Sequence, residues 1–231
     1  MNEYDDIDFE VLKDDVGQTN FSFKIIIIGD QSVGKSSIAM RGVKNLYTEM
    51  YTPTVGFEFI SFNVRIKDQI VKLQVWDTCG QEINRSLITS FYRNSCLAII
   101  VYAIDCQNSF DSVEEWIDEI KSQTNPNIKI FLIGNKKDLE EQRSVDKNVA
   151  EELAKEHNLD FYMETSAKTG ENAQKLFVIA AKMLVDEYRK FQNSSDRDKS
   201  SITLTSDNKE EIEKIENGPQ RSDSRTSKCS C

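Results

Sequence analysis

The chain has 231 residues, 39% of them hydrophobic and 29% charged, which suits one domain of ordinary size with tails. Lys and Arg total 29 against 39 Asp and Glu, a net charge of -10, so neither a nucleic-acid footprint nor charge-driven binding to anionic lipid is expected. His157 is the one histidine, which nearly excludes both a multi-His metal site and a Ser-His-Asp triad. The 5 cysteines form no disulfide framework and suit a reducing compartment.

Residues 1–20 are acidic, with no basic start and no apolar core of a secretory signal, and are expected to be a flexible arm. Residues 23–28 read as a buried strand and 36–45 as a helix. Residues 46–56, polar and containing Pro53, read as a loop. Residues 57–67 and 71–77 alternate like strands, with Lys67-Asp68-Gln69 as a hairpin turn between them. Residues 97–104 and 128–134 are apolar enough for strands buried on both faces. The run 96–104 is too short to cross a bilayer. Val113, Trp116, Ile117 and Ile120 share a helical face over 112–122. A helix over 145–157, a short strand over 160–165 and a long helix over 172–191 close the series. After about residue 192 the composition is too polar to bury a core and is expected to be disordered. The domains are therefore expected as an arm over 1–20, a folded domain over 21–192 and a tail over 193–231. Strands alternating with helices predict an α/β fold of three layers, doubly wound. Its sheet should have six strands, mostly parallel, with one antiparallel edge strand.

The first strand runs into Gly29-Asp30-Gln31-Ser32-Val33-Gly34-Lys35-Ser36-Ser37. Strand, glycine loop and helix form the context of a phosphate-binding P-loop. The N–H groups of residues 31–37 and the positive end of the following helix are suited to an anion, and Lys35 reaches for the terminal phosphates. The Ser36 hydroxyl is a ligand for Mg²⁺. Gln31, near the γ-phosphate, either crowds an arginine brought in by an activating protein or points to solvent. Thr54 is placed to complete the metal shell when a third phosphate is present. Asp77 follows a strand and is suited to hold Mg²⁺ opposite Ser36. In the same turn Gly80 offers an N–H to the γ-phosphate, and Gln81 orients an attacking water. Asn135-Lys136-Lys137-Asp138 follows another strand: the Asp138 carboxylate accepts from guanine N1–H and N2–H, a donor pair adenine lacks, and the Lys136 stem lies along the base. Ser166-Ala167-Lys168 follows the last strand, with backbone suited to guanine O6. In a doubly wound sheet all these loops meet at the carboxyl ends of the strands.

This set of motifs, in this order over roughly residues 20–190, resembles the Ras superfamily of small GTPases. Trp76-Asp77-Thr78-Cys79-Gly80-Gln81-Glu82 and the ending Cys229-Ser230-Cys231 resemble the Rab family. Gln31-Ser32, Arg85-Ser86-Leu87-Ile88 and the Cys-Ser-Cys ending look most like its Golgi-associated branch. The resemblance implies GTP and GDP as ligands with Mg²⁺, hydrolysis of GTP to GDP and phosphate, and a role as a switch in vesicle traffic. It implies that Tyr47 stacks on the base and that Phe59, Trp76 and Phe91 contact effectors. It also implies two lipid chains on Cys229 and Cys231, and attachment to the cytosolic face of a Golgi or vesicle membrane, in exchange with cytosol. The implied partners are an exchange factor, an activating protein, a prenylation escort and a GDP-dissociation inhibitor, acting on a monomer.

The sequence departs from the family pattern where Phe91 replaces Tyr, where Cys79 replaces Ala, and where Ile83-Asn84 replaces Arg-Phe, which bears on partner choice. Two alternatives stay open. A GTP-binding module with negligible hydrolysis is opposed by Gln81, and a P-loop kinase is opposed by the 135–138 motif.

Overall fold

The computed structural model describes residues 7–12, 17–49, 57–78 and 92–195. It divides into a compact unit over Met1–Arg189 and a second over Lys190–Cys231. The strands are β1 (Phe9–Leu12), β2 (Phe21–Ile28), β3 (Phe57–Ile66), β4 (Gln69–Thr78), β5 (Leu97–Ala103), β6 (Lys129–Asn135) and β7 (Phe161–Glu164). The helices are α1 (Lys35–Lys44), α2 (Gln107–Asp111), α3 (Val113–Gln123), α4 (Lys147–Glu156) and α5 (Ala173–Ser195), with a 3-10 turn over Lys137–Gln142. Among the described residues, no helix is long and apolar enough to cross a membrane.

The strands form one sheet in the order β1-β3-β4-β2-β5-β6-β7. β4, β2, β5, β6 and β7 pair in parallel, whereas β3 is antiparallel to both β1 and β4, so β3 alone runs against the rest. The α/β class is as expected, but the sheet has seven strands instead of six, and its antiparallel strand lies one place in from the edge. The addition is β1, within the segment expected to be a flexible arm. Its register sets Val11 against Val64 and Phe9 against Ile66. Ile7 and Val11 pack on the core, and Glu10 pairs with Arg65. Two inward apolar side chains and a ladder to β3 hold a segment whose acidic composition reads as solvated. β1 also covers part of an edge that would otherwise present open backbone groups.

The alternation along the central strands explains their unbroken apolar runs. Ile25 and Ile27 of β2 face a layer containing Ile38 of α1 and Leu176, Phe177 and Ala180 of α5. Ile26 and Ile28 face the opposite layer, with Trp116, Ile117 and Ile120 of α3 and Ala150 and Ala154 of α4. Strands of a parallel sheet covered on both faces need no polar face. β3 and β4 differ: Phe62, Val64, Leu73 and Val75 enter the core, while the other face carries Phe57 and Phe59, each 47% exposed. This sheet delivers the carboxyl ends of β2, β4, β5, β6 and β7 to one edge. α2 and the 3-10 turn were not expected, because a segment of one or two turns is too short for its periodicity to show.

Candidate nucleotide-binding site

The loop after β2 is shaped by two glycines that no other residue replaces. Gly29 has φ 133°, and a Cβ there would stand 2.1 Å from the Val101 carbonyl oxygen of β5. Gly34 has φ 94° and begins α1; its Cβ would meet Asn135 Nδ2 at 2.3 Å. Both conformations lie in the region L side chains avoid. The first turn of α1 carries no acidic residue, so its partial positive charge is unopposed there. Lys35 is buried and folds over its own loop, donating to the carbonyls of Gly29 (2.8 Å) and Asp30 (2.7 Å). Gln31 and Ser32 are exposed and Ser37 is half-buried in the first turn of α1.

Ser36 Oγ donates to Asp77 Oδ2, which joins the P-loop helix to the end of β4. Asp77 is fully buried, and its Oδ1 has no hydrogen-bond partner among the described residues. Burial pushes its carboxyl up to about 6, against the Ser36 hydrogen bond and the Lys35 charge, which pull it down. A buried carboxylate with an unused oxygen is costly unless a cation lies beside it. No cluster of three or more His, Cys, Asp or Glu that could hold a metal exists among the described residues. One carboxylate and one hydroxyl fit Mg²⁺, which keeps few protein ligands and shares the rest with water and phosphate oxygens. Thr54, the third expected metal ligand, lies outside the described residues, as do Gly80 and Gln81.

On the other side of the loop, Asn135 is buried at the end of β6. Its Nδ2 donates to the Val33 carbonyl at 2.8 Å, and its Oδ1 accepts from Thr165 Oγ1 and from the Ala167 N–H, each at 3.3 Å. Asn135 thus ties the P-loop to the loop after β7, so its amide is a strut between loops, and within the Ser166-Ala167-Lys168 backbone expected near guanine O6 the Ala167 N–H is directed to Asn135. Asp138 is exposed, and its Oδ1 accepts from Ser166 Oγ at 2.5 Å. Ser166 is itself fully buried and also accepts from the Thr169 N–H. The two loops expected to read the base are therefore in direct contact. Lys136, at φ 66°, pairs with Asp105 at 3.2 Å, so Asp105 fixes the lysine expected to lie on the base. Lys168 is exposed, pairs with Glu49 at 3.4 Å, and accepts through its carbonyl from Arg41 Nη2. Tyr47, in the loop after α1, is 38% exposed.

Asp30 is a functional residue the sequence reading missed. Its Oδ1 accepts from Trp116 Nε1 and its Oδ2 from Ser112 Oγ, each at 2.9 Å, which fastens the phosphate loop to α3. Those partners lie 86 and 82 residues away, and Asp30 occupies a variable place in the loop motif, so no local signal marks it. Asp30→Ala leaves the buried indole N–H of Trp116 without its acceptor, which costs about 1–3 kcal/mol. A lower urea midpoint with unchanged slope is expected; an unchanged midpoint would show that the tether carries no stability.

On the exposed face of β3 and β4, Trp76 stacks on Phe57 (centroids 5.3 Å apart) and meets Phe59 edge-on at 5.6 Å, with Lys24 Nζ 4.9 Å above its ring. Phe57 joins Phe59 and Trp76 because residues two apart in a strand share a face. Phe91 lies outside the described residues, as do Cys79, Ile83 and Asn84.

The Ras family pattern matches residues 24–186 of this chain. The chain belongs to the Ras family of small GTPases. It is 42% identical over 168 residues to the Ras-related protein RABF2a of Arabidopsis thaliana, covering 73% of this chain and 84% of that protein. It is 41% identical over 164 residues to the Ras-related protein Rab-5A of Dictyostelium discoideum, covering 71% and 81% respectively. Within the family these relatives are Rab proteins, and neither supports the Golgi-associated branch expected from Gln31-Ser32 and residues 85–88. As in the Ras family generally, guanine nucleotide and Mg²⁺ are the ligands that the P-loop, the Ser36–Asp77 pair and the Asp138–Ser166 pair suit.

Proposed function

We propose that this chain is a Rab-type switch that binds GTP and GDP with Mg²⁺, hydrolyses GTP, and works in vesicle traffic while tethered to an intracellular membrane. The observation that carries the reading is the Ser36–Asp77 pair with its unused buried oxygen, directly beside Lys35 in the chain, with Asn135 tying the P-loop to the loops that carry Asp138 and Ser166. Phosphate, metal and base are each given chemically suited groups on one edge of the sheet. Mg²⁺, when held by Ser36 and Asp77, would offset the charge that develops on hydrolysis. Lys35 and the loop N–H groups hold the phosphates, Ser36 and Asp77 present oxygens to the metal, and Asp138 accepts from the base. Gln81 orients water and Thr54 responds to the third phosphate in this reading. No arginine is assigned to the reacting phosphate, so unaided turnover is slow, on the order of 10⁻⁴ per second, and an activating protein in trans supplies the acceleration.

Phe59, Trp76 and Phe91 contact effectors in this reading, and Phe57, stacked on Trp76, adds to the same face. Exchange factor, activating protein, prenylation escort and GDP-dissociation inhibitor are the further partners of a monomeric switch. Lipids on Cys229 and Cys231 tether it, since two chains anchor stably where one does not.

The test measures retention of GTP and ATP by the purified chain with and without Mg²⁺, and membrane fractionation of a form with both terminal cysteines changed to Ser. Retention of GTP alone, with nucleotide binding kept and membrane association lost in the Ser form, is the expected result. Equal retention of ATP overturns the guanine reading, and a membrane-bound Ser form overturns the lipid tether.

A further inference from the structure

Arg143 lies between the two loops that contact each other through Asp138 and Ser166, and touches neither of those residues. All five N–H groups of its guanidinium are used. Nη1 and Nη2 grip the Glu164 carboxylate at 2.7 and 2.9 Å. Nε and Nη2 grip the Glu140 carboxylate at 2.9 and 2.6 Å. Nη1 also donates to the Val145 carbonyl at 3.1 Å. Two carboxylates are thus clasped by one planar fork, a geometry an ammonium group does not reproduce.

The two carboxylates belong to different loops. Glu140 sits in the 3-10 turn Lys137–Gln142, two residues after Asp138. Glu164 ends β7 and directly precedes Thr165-Ser166-Ala167; its side chain is only 5% exposed, so Arg143 is the counter-ion of a buried charge. Glu164 is fixed further by Tyr162, whose hydroxyl donates to Oε1 at 3.2 Å, and by Asn172 Nδ2, which donates to its backbone carbonyl at 2.8 Å. β7 is therefore a fixed wall, and Arg143 references the 3-10 turn to it. The Ser166–Asp138 hydrogen bond aligns side chains at the tip, whereas the Arg143 clasp sets the spacing of the backbones behind them.

We infer that Arg143 is a positioning residue for guanine selection: through Glu140 and Glu164 it holds the Asp138 carboxylate at the distance from the Ser166–Ala167 loop that a guanine ring requires. The inference rests on the reading of Asp138 as the guanine acceptor. It separates Arg143 from a general stabiliser, because the clasp's partners Glu140, Glu164 and Val145 all lie on the base side, whereas Lys35 donates to Gly29 and Asp30 of its own loop.

The experiment compares GDP with inosine diphosphate, which lacks the 2-amino group that Asp138 accepts from, in a competition assay on the full chain. Wild type is expected to favour GDP. In Arg143→Lys the ratio of GDP to inosine diphosphate affinity should fall by about 5–10-fold, inosine diphosphate weakening less because it offers Asp138 only its N1–H, since one donor cluster cannot span both carboxylates. Glu140→Gln guards against misfolding, since the Glu140 side chain is 62% exposed; it should lower the ratio by about 2–3-fold while the melting temperature stays unchanged. A purely structural role would lower both affinities by the same factor or shift melting alone, and either result overturns the inference. A wild type that favours GDP with variants that keep its ratio overturns the inference and leaves the guanine reading intact. A wild type that does not distinguish the two nucleotides overturns both.

Discussion

Asp138→Asn is expected to cut GTP affinity by at least 100-fold and to raise affinity for xanthosine triphosphate. The carboxylate accepts from two neighbouring N–H groups of guanine, and charge-assisted hydrogen bonds contribute about 1.5–3 kcal/mol each. An amide keeps one acceptor and turns the other position into a donor, which opposes guanine N–H but suits the carbonyl that xanthine places there. The structure makes the substitution mild elsewhere: Asp138 is exposed, and the hydrogen bond its side chain accepts among the described residues, from Ser166 Oγ, needs only an oxygen. Competition between the two triphosphates on the wild type and the variant measures the effect. Unchanged selectivity would remove Asp138 from the base site.

Ser36→Asn should weaken GTP more than GDP, by roughly 10–100-fold in their ratio, the scale on which groups around a metal set its affinity. The hydroxyl now donates to Asp77 Oδ2 while Oδ1 stays unused in a buried setting. Asn removes the hydroxyl oxygen and places a longer side chain against that carboxylate, so the pair can no longer present two oxygens to one cation. A cation held there would matter most to the triphosphate, which carries the most charge to be offset. Chelating Mg²⁺ from the wild type should therefore lower its GTP-to-GDP preference toward that of the variant. Equal loss of both nucleotides, or a preference in the wild type that chelation leaves untouched, would refute the metal role of Ser36.

The residues that touch ligand in this reading were legible because their chemistry is local. A glycine loop between a strand and a helix, or an Asp three residues beyond the end of a strand, carries its meaning within a few positions. Asn135 shows the limit. It belongs to the same short motif as Asp138, yet its amide is committed to Val33, Thr165 and Ala167, up to 102 residues away. The motif placed the residue without revealing what its side chain holds. Asp30 and Arg143 lie further from legibility: one is a free position inside the loop motif, the other an ordinary charge in a polar turn.

By itself the sequence determined the α/β class, the central strands, the helices long enough to show a periodic face, and the positions of the phosphate, metal and base motifs, since each is written in spacing over a few to a dozen residues. Tertiary structure decided that residues 9–12 join the sheet, that Phe57 adds to the aromatic face, and that Asp30, Asn135 and Arg143 brace the loops. Those outcomes depend on which segments become neighbours across the sheet. A short acidic strand is held by Val11 meeting Val64 and by its ladder to β3, and a guanidinium becomes a clasp only when β7 brings Glu164 to within 3 Å of it. Local pattern carries no term for such contacts, because their free energy arises from groups far apart in the chain and close together only in the fold.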